Sequence, residues 1–201
     1  MTSPGTLAER ASSRVQALLA SDTPPWMVYH SLDHTLETVY ACKVLAAGSR
    51  LEDSDQEALF VAAWFHDTGY YAGAEGHEER SVDIAGGFLR EHGVNGAVAQ
   101  RVLAAIRATR MPQEPRSLLE AILCDADVIH VGREDFFMKS DLLRSEMEQR
   151  LGRIYTNDEW YRFNLDFVER HTFHTDFARK LYGEQRLRNL RILREKLAAV
   201  A

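Results

Sequence analysis

Apolar residues recur at intervals of three and four along almost the whole chain, the spacing of helices that bury one face. Leu7, Ala11, Val15, Leu18 and Leu19 form the first stripe, and the run from Ser21 to Pro25, with its two prolines, breaks it. After Tyr29-His30-Ser31-Leu32-Asp33-His34-Thr35 a second helix runs to Ala47 and stops at Gly48. Ser54 and Glu57 have the Ser-x-x-Glu spacing of a capping box, which opens an apolar helix over 54–65 and leaves His66 and Asp67 where that helix stops, at Gly69. Further helices are expected over 77–91, ending at His92-Gly93, and over 95–108, closed by Met111-Pro112 and Pro115. A second capping box, Ser117 to Glu120, opens a helix that carries Cys124, Asp125 and Asp127 to Gly132. The remaining helices are expected over 135–154, over 158–170 with Asn157 as cap, over 175–182 with Gly183 as stop, and over 184–199 with Leu187, Leu190, Leu193 and Leu197 on one stripe. No alternating strand, repeat or low-complexity tract interrupts this pattern. It predicts an all-α bundle of about ten short helices in one domain over residues 1–201.

Composition narrows the partners. Of the residues, 45% are hydrophobic and 27% charged, ordinary for a soluble globular chain. The net charge of −6 gives no basic field for nucleic acid or an anionic membrane. The basic residues of the last stretch, Arg186, Arg188, Arg191, Arg194 and Lys196, read as a solvated face opposite the leucines. The two cysteines, Cys42 and Cys124, lie inside apolar helical patterns and read as small core residues of a reducing compartment. Met1-Thr-Ser-Pro-Gly5 lacks the basic-then-apolar order of a secretory signal, and no apolar run has the length of a membrane span. A cytoplasmic location is expected. The leucine stripe of the last helix could serve a homodimer as well as the core.

Four side chains stand out as chemistry: His34, the adjacent His66 and Asp67, and Asp127. His34 falls at the start of one expected helix, His66 and Asp67 at the end of the next and Asp127 late in a third, and antiparallel helices can bring all four together. Two imidazoles and two carboxylates form a mixed nitrogen and oxygen set that suits Mn, Fe, Co, Ni, Zn or Mg. It leaves coordination positions open for water and substrate, the catalytic rather than the structural arrangement.

The order His, His-Asp, Asp resembles the HD-domain superfamily of metal-dependent phosphohydrolases. The segment Tyr29–Thr35 resembles the one bearing the first family histidine. Phe65-His66-Asp67-Thr68-Gly69-Tyr70 resembles the HD signature, His77-Glu-Glu-Arg-Ser81 the helix start that follows it, and Cys124-Asp125-Ala126-Asp127 the Ala-Asp that completes the set. The resemblance covers residues 26–135, with 136–201 expected to pack on that core as further helices. It implies one divalent metal ion held by His34, His66, Asp67 and Asp127, and a phosphoester of a nucleotide or small phosphorylated metabolite as substrate. Asp67 would also hold the attacking water. Asp127 is preferred to Asp125 because the last family ligand follows an alanine, and Asp125 is left as a solvated or ligand-orienting carboxylate.

Departures from the family patterns sharpen this picture. Members with two metals add two histidines. His77 matches the first, but Thr109 stands near the expected second and is a poor ligand, so one metal is expected. That weakens a cyclic-dinucleotide phosphodiesterase and a di-iron oxygenase. The acidic pair that follows the signature in guanosine tetraphosphate hydrolases has no counterpart after Thr68. His77 and Arg110 are the expected substrate contacts, with Arg107 and Lys139 as further candidate phosphate clamps. His30 could line the mouth of the site or pack beneath it. His171 and His174 have ligand-like spacing without a carboxylate partner and read as structural. The alternative to an enzyme is an HD-fold module that senses a nucleotide without turning it over.

Overall fold

The computed structural model of the chain describes residues 5–200, with Asp22 described in its backbone only. Met1–Pro4, where most of the segment read as lacking a signal falls, and Ala201 lie outside the described residues. Nine α-helices and no strand occur among those described: α1 (Leu7–Asp22), α2 (Leu32–Ser49), α3 (Asp53–Phe65), α4 (His77–Glu91), α5 (Gly96–Ala108), α6 (Leu118–Asp127), α7 (Phe136–Leu151), α8 (Asn157–Arg170) and α9 (Asp176–Ala198). Short 3-10 turns follow α3 at Tyr70–Ala72 and α6 at Ile129–Gly132. None of these helices is long and apolar enough to cross a membrane.

The all-helical expectation holds, and one apolar cluster runs from Leu7 of α1 to Leu193 of α9. At its centre lies α3, where Leu59, Val61, Ala62, Ala63 and Phe65 are wholly buried. A helix apolar on every side must be surrounded, and α3 packs on α1, α2, α5 and α6. Its C-terminus, which carries His66 and Asp67, is therefore held from several directions at once.

Several helix ends differ from the expectation, each for a tertiary reason. Helix α3 starts at Asp53 rather than at a Ser54 cap, and the Glu57 carboxylate instead accepts the Leu7 backbone N–H of α1 at 2.9 Å. Ser117 does accept the Glu120 N–H, but the Glu120 carboxylate turns to the Arg116 N–H. Thr156, not Asn157, caps α8, in a reciprocal capping box with Glu159. Gly48 does not end α2, which continues to Ser49 and closes on Arg50 in the left-handed region (φ 56°). The glycine serves packing there, because a Cβ would run into the Phe177 ring of α9.

The helices expected on either side of Gly183 are one continuous α9. A mid-helix glycine costs only about 1 kcal/mol against alanine. Contacts on both sides of it outweigh that: Ala178 is buried before it, Leu190 and Leu193 after it, and Asn189 donates to the carbonyls of Val131 (3.0 Å) and Arg133 (2.8 Å). The helix expected to run to Gly132 ends at Asp127, and the chain tightens into the 3-10 turn on which α9 packs. Helix α7 stops at Gly152 (φ 61°), short of the expected Ile154.

Candidate metal centre

The site is built on helix ends, where side chains can depart from the regular helical fan. His34 stands in the first turn of α2, and its approach is fixed from α7. The carboxylate of Glu146, wholly buried, accepts the backbone N–H groups of Tyr29 (2.9 Å) and His30 (3.0 Å) and contacts His30 Nδ1. Burial raises the Glu146 pKa, but His30 and these backbone donors outweigh it and hold the carboxyl below its usual range. The Tyr29 ring then stacks on His34, with centroids 5.0 Å apart.

His66 caps the end of α3. Its Nδ1 donates to the Ala63 carbonyl at 2.9 Å, which leaves Nε2 as the metal-facing nitrogen. The next residues leave the helix in a tight turn. Gly69 N donates to Ser81 Oγ, Arg80 Nε donates back to the Gly69 carbonyl, and a Cβ at Gly69 would collide with the His77 carbonyl and Ser81 N. This turn swings Asp67 beneath His66 where a straight helix would hold the two about 100° apart. Asp127 arrives from the other side as the last residue of α6.

The four side chains converge. His34 Nε2 is 3.3 Å from His66 Nε2, from Asp67 Oδ2 and from Asp127 Oδ1; His66 Nε2 is 3.2 Å from Asp67 Oδ2 and 3.6 Å from Asp127 Oδ1. One donor atom from each residue falls in a group no more than 4.8 Å across. Two ligands of one ion lie at most about 4.0–4.4 Å apart at bond lengths of 2.0–2.2 Å, so the separations of 3.2 to 3.6 Å involving the two imidazoles suit a shared cation. Asp67 Oδ2 is buried and makes no hydrogen bond. An orphaned carboxylate oxygen facing two imidazole nitrogens is expensive, and a cation among them would satisfy all of these atoms.

The electrostatics agree. Burial pulls His66 down, but the charges and contacts of Asp67 and Asp127 outweigh it and hold the ring well above its ordinary value; His34 is raised against burial in the same way, by Asp127 and Asp67. Burial pushes the two carboxyls up, yet the imidazoles win and both lie below the usual carboxylate range. A cation binding here would compete with protons for the imidazole nitrogens.

His77, the first residue of α4, extends the group. Its Nδ1 donates to the Ala74 carbonyl at 2.7 Å, and its Nε2 lies 3.2 Å from Asp67 Oδ1. Thr109 reaches the same cavity, but its hydroxyl donates back to the Ile106 carbonyl. Arg110 is exposed and does not line the cavity. Arg107 pairs with Glu79 at 3.1 Å and Lys139 with Glu37 at 2.6 Å. His30 lines the mouth and stacks on Tyr70 at 3.6 Å. Asp125, expected as a solvated or ligand-orienting group, is neither: it is wholly buried and accepts from His174 N, Thr175 N and Thr175 Oγ1 at 2.6, 2.8 and 2.7 Å. His171 and His174 line a separate cavity beside the site.

Several residues of the site are not among the ligand positions that the motifs mark. Tyr29 donates its hydroxyl to His130 Nδ1 at 3.1 Å, since burial first and the Asp127 charge next keep the phenol protonated. Burial, followed by the His34 charge, pushes His130 down to about 3, so its ring is neutral and its one proton sits on Nε2. Asn164, Leu143, Phe163 and Phe167 close the cavity from α7 and α8. The one sequence hint for Glu146 is its register: it falls on the same face of α7 as buried Phe136, Lys139 and Ser140, where a carboxylate needs a reason.

The comparisons with curated proteins and with solved structures gave no match. The family model for the HD domain matches residues 31–132, just over half of the chain. Those residues hold His34, His66, Asp67 and Asp127, the four side chains that meet at one point. The chain belongs to the HD-domain family, a superfamily of metal-dependent phosphohydrolases.

Proposed function

We propose that the chain hydrolyses a phosphoester of a nucleotide or other small phosphorylated metabolite, with one divalent cation held by His34, His66, Asp67 and Asp127. The observation that carries this reading is the convergence of those donors around an Asp67 oxygen that is buried without a hydrogen bond. A divalent cation there supplies a Lewis acid for a phosphoryl oxygen and lowers the pKa of water.

The chain's own groups do the rest. Asp67 divides its carboxylate, with Oδ2 among the donors and Oδ1 on His77 Nε2. Burial lowers His77, but Asp67 and the Ala74 carbonyl outweigh it, so the ring holds its second proton against Oδ1. Asp67 orients the attacking water through the carboxylate that His77 Nε2 steadies at Oδ1. His130 offers a neutral N–H donor to a phosphoryl oxygen, kept in that tautomer by Tyr29. Met111, Leu143, Phe163 and Phe167 shield the reacting group from bulk water.

Metal content and phosphoester hydrolysis of His66→Ala combined with Asp67→Ala test the reading. The variant should lose its bound metal and fall to background turnover. Full metal and full activity in that variant would sink the assignment, and tight nucleotide binding by the native chain without turnover under Mn, Co, Ni and Mg would favour a sensing module instead.

A further inference from the structure

The cavity in front of the donors is about 180 Å³. Sites for drug-sized ligands measure about 300–1,000 Å³, and an apolar void of about 150 Å³ already holds one benzene. The far wall from the donors is apolar, made by Met111, Leu143, Phe163 and Phe167. Among the described residues no lysine or arginine lines the cavity. Three nearby cations are committed elsewhere, Lys139 to Glu37, Arg107 to Glu79, and Arg80 to the carbonyls of Gly69 and Glu75, and Arg110, between Thr109 and Met111, is exposed outside the lining. An acid does line it: Glu78, 9% exposed. Sites that handle di- and triphosphates surround the extra charge with Lys, Arg or metal clamps. Here a second or third phosphoryl would meet aromatic rings and a carboxylate.

From this wall we infer that the site takes a single phosphoryl group carried on an uncharged aromatic or apolar body, and that it discriminates against di- and triphosphates. The inference rests on the phosphohydrolase reading above and names its substrate class. Phe163 and Phe167, one turn apart on α8, are the specificity-determining residues. Phe163 is 41% exposed at the mouth, and both rings, with Met111, also border the adjoining cavity of about 440 Å³. A body longer than one ring extends past them into that space, where Arg170 is the lone arginine among the described residues and is paired with Asp166 at 2.7 Å.

The test is a comparison of kcat/KM for phenyl phosphate, adenosine 5′-monophosphate and ATP on the metal-loaded chain. Phenyl phosphate should exceed ATP by about tenfold or more, the cost of leaving buried charge unpaired. Phe163→Ala should raise KM for phenyl phosphate about five- to tenfold, the usual worth of an aromatic stack. Phe163→Tyr, which keeps the ring, should restore it. Glu78→Gln should narrow the discrimination against ATP by about fivefold, as removal of one like charge predicts. Equal or better use of ATP, or an unchanged KM in Phe163→Ala, overturns the inference. If no ester is turned over, the hydrolase reading fails separately, and calorimetry on the metal-loaded chain in excess free metal still decides. Tighter binding of phenylphosphonate supports the substrate class, and tighter binding of the stable β,γ-methylene analogue of ATP overturns it.

Discussion

Asp125 and Asp127 stand two residues apart at the end of one helix and have opposite surroundings. A step of two residues turns about 200° around the axis, so they face opposite sides of α6. Asp125 looks toward α9 and is saturated by two backbone N–H groups and a hydroxyl, all from His174 and Thr175. Asp127 looks toward α2 and α3 and meets two imidazole nitrogens. The same side chain therefore does two jobs. A buried carboxylate held by two backbone N–H groups and a hydroxyl of one neighbouring segment fastens that segment in place. One left facing side-chain nitrogens, beside an oxygen with no hydrogen bond at all, is arranged for a cation.

The sharpest way to break that comparison is to remove each carboxylate in turn. Asp127→Asn should weaken metal binding and hydrolysis by more than about 100-fold, beyond the range seen for residues that merely support a ligand; metal titration and steady-state rates read it. Asp125→Ala should keep its metal but lose about 3 kcal/mol, since the start of α9 loses hydrogen bonds to a charged acceptor. In a chain of this length that is roughly 6–12 °C in Tm. If Asp125→Ala empties the metal site while Asp127→Asn leaves it filled, the roles assigned here are reversed.

A pH series separates the two faces more gently. In the metal-free protein the raised pKa values of His34 and His66 contribute stability that is complete below their ordinary 6.5 and lost as pH rises through the folded values. The lowered values of Asp67 and Asp127 contribute stability that is present above 3.8 and lost as pH falls through theirs. The metal-free Tm should thus decline above pH 6.5, whereas the gain in Tm on adding metal should grow over the same interval as competing protons leave. A metal-induced gain that does not change with pH would contradict this.

The smallest effect concerns the helix that Asp125 anchors. A Cβ at Gly183 would meet nothing within 4 Å, and the residue lies inside continuous α9. Gly183→Ala should stabilise the chain by about 0.5–1 kcal/mol, roughly 1–4 °C in Tm. A destabilised variant would restore the break expected from the sequence.

Much of the candidate centre was legible because it sits in local motifs. His66-Asp67 follows a helix apolar on all sides, and Gly69 marks the turn that a side chain would block. The walls were not legible. Phe163 and Phe167 are two aromatic residues in an ordinary amphipathic pattern, and nothing local tells a wall of a cavity from a core contact. Arg110 looked like a phosphate clamp because phosphate needs cationic donors, yet its side chain stands in solvent.

By itself the sequence determined the helical class, the order of the helices and the four metal-site candidates, since periodicity and short motifs depend on residues close along the chain. Only the tertiary structure decided what each polar group meets. Glu57 looked like half of a capping box and instead holds α1; Glu146, which no motif marks, fixes the approach to His34. Asp125 and Asp127 cannot be told apart by composition. Their partners come from segments distant in sequence, and a carboxylate's role is set by the donors that packing brings to it.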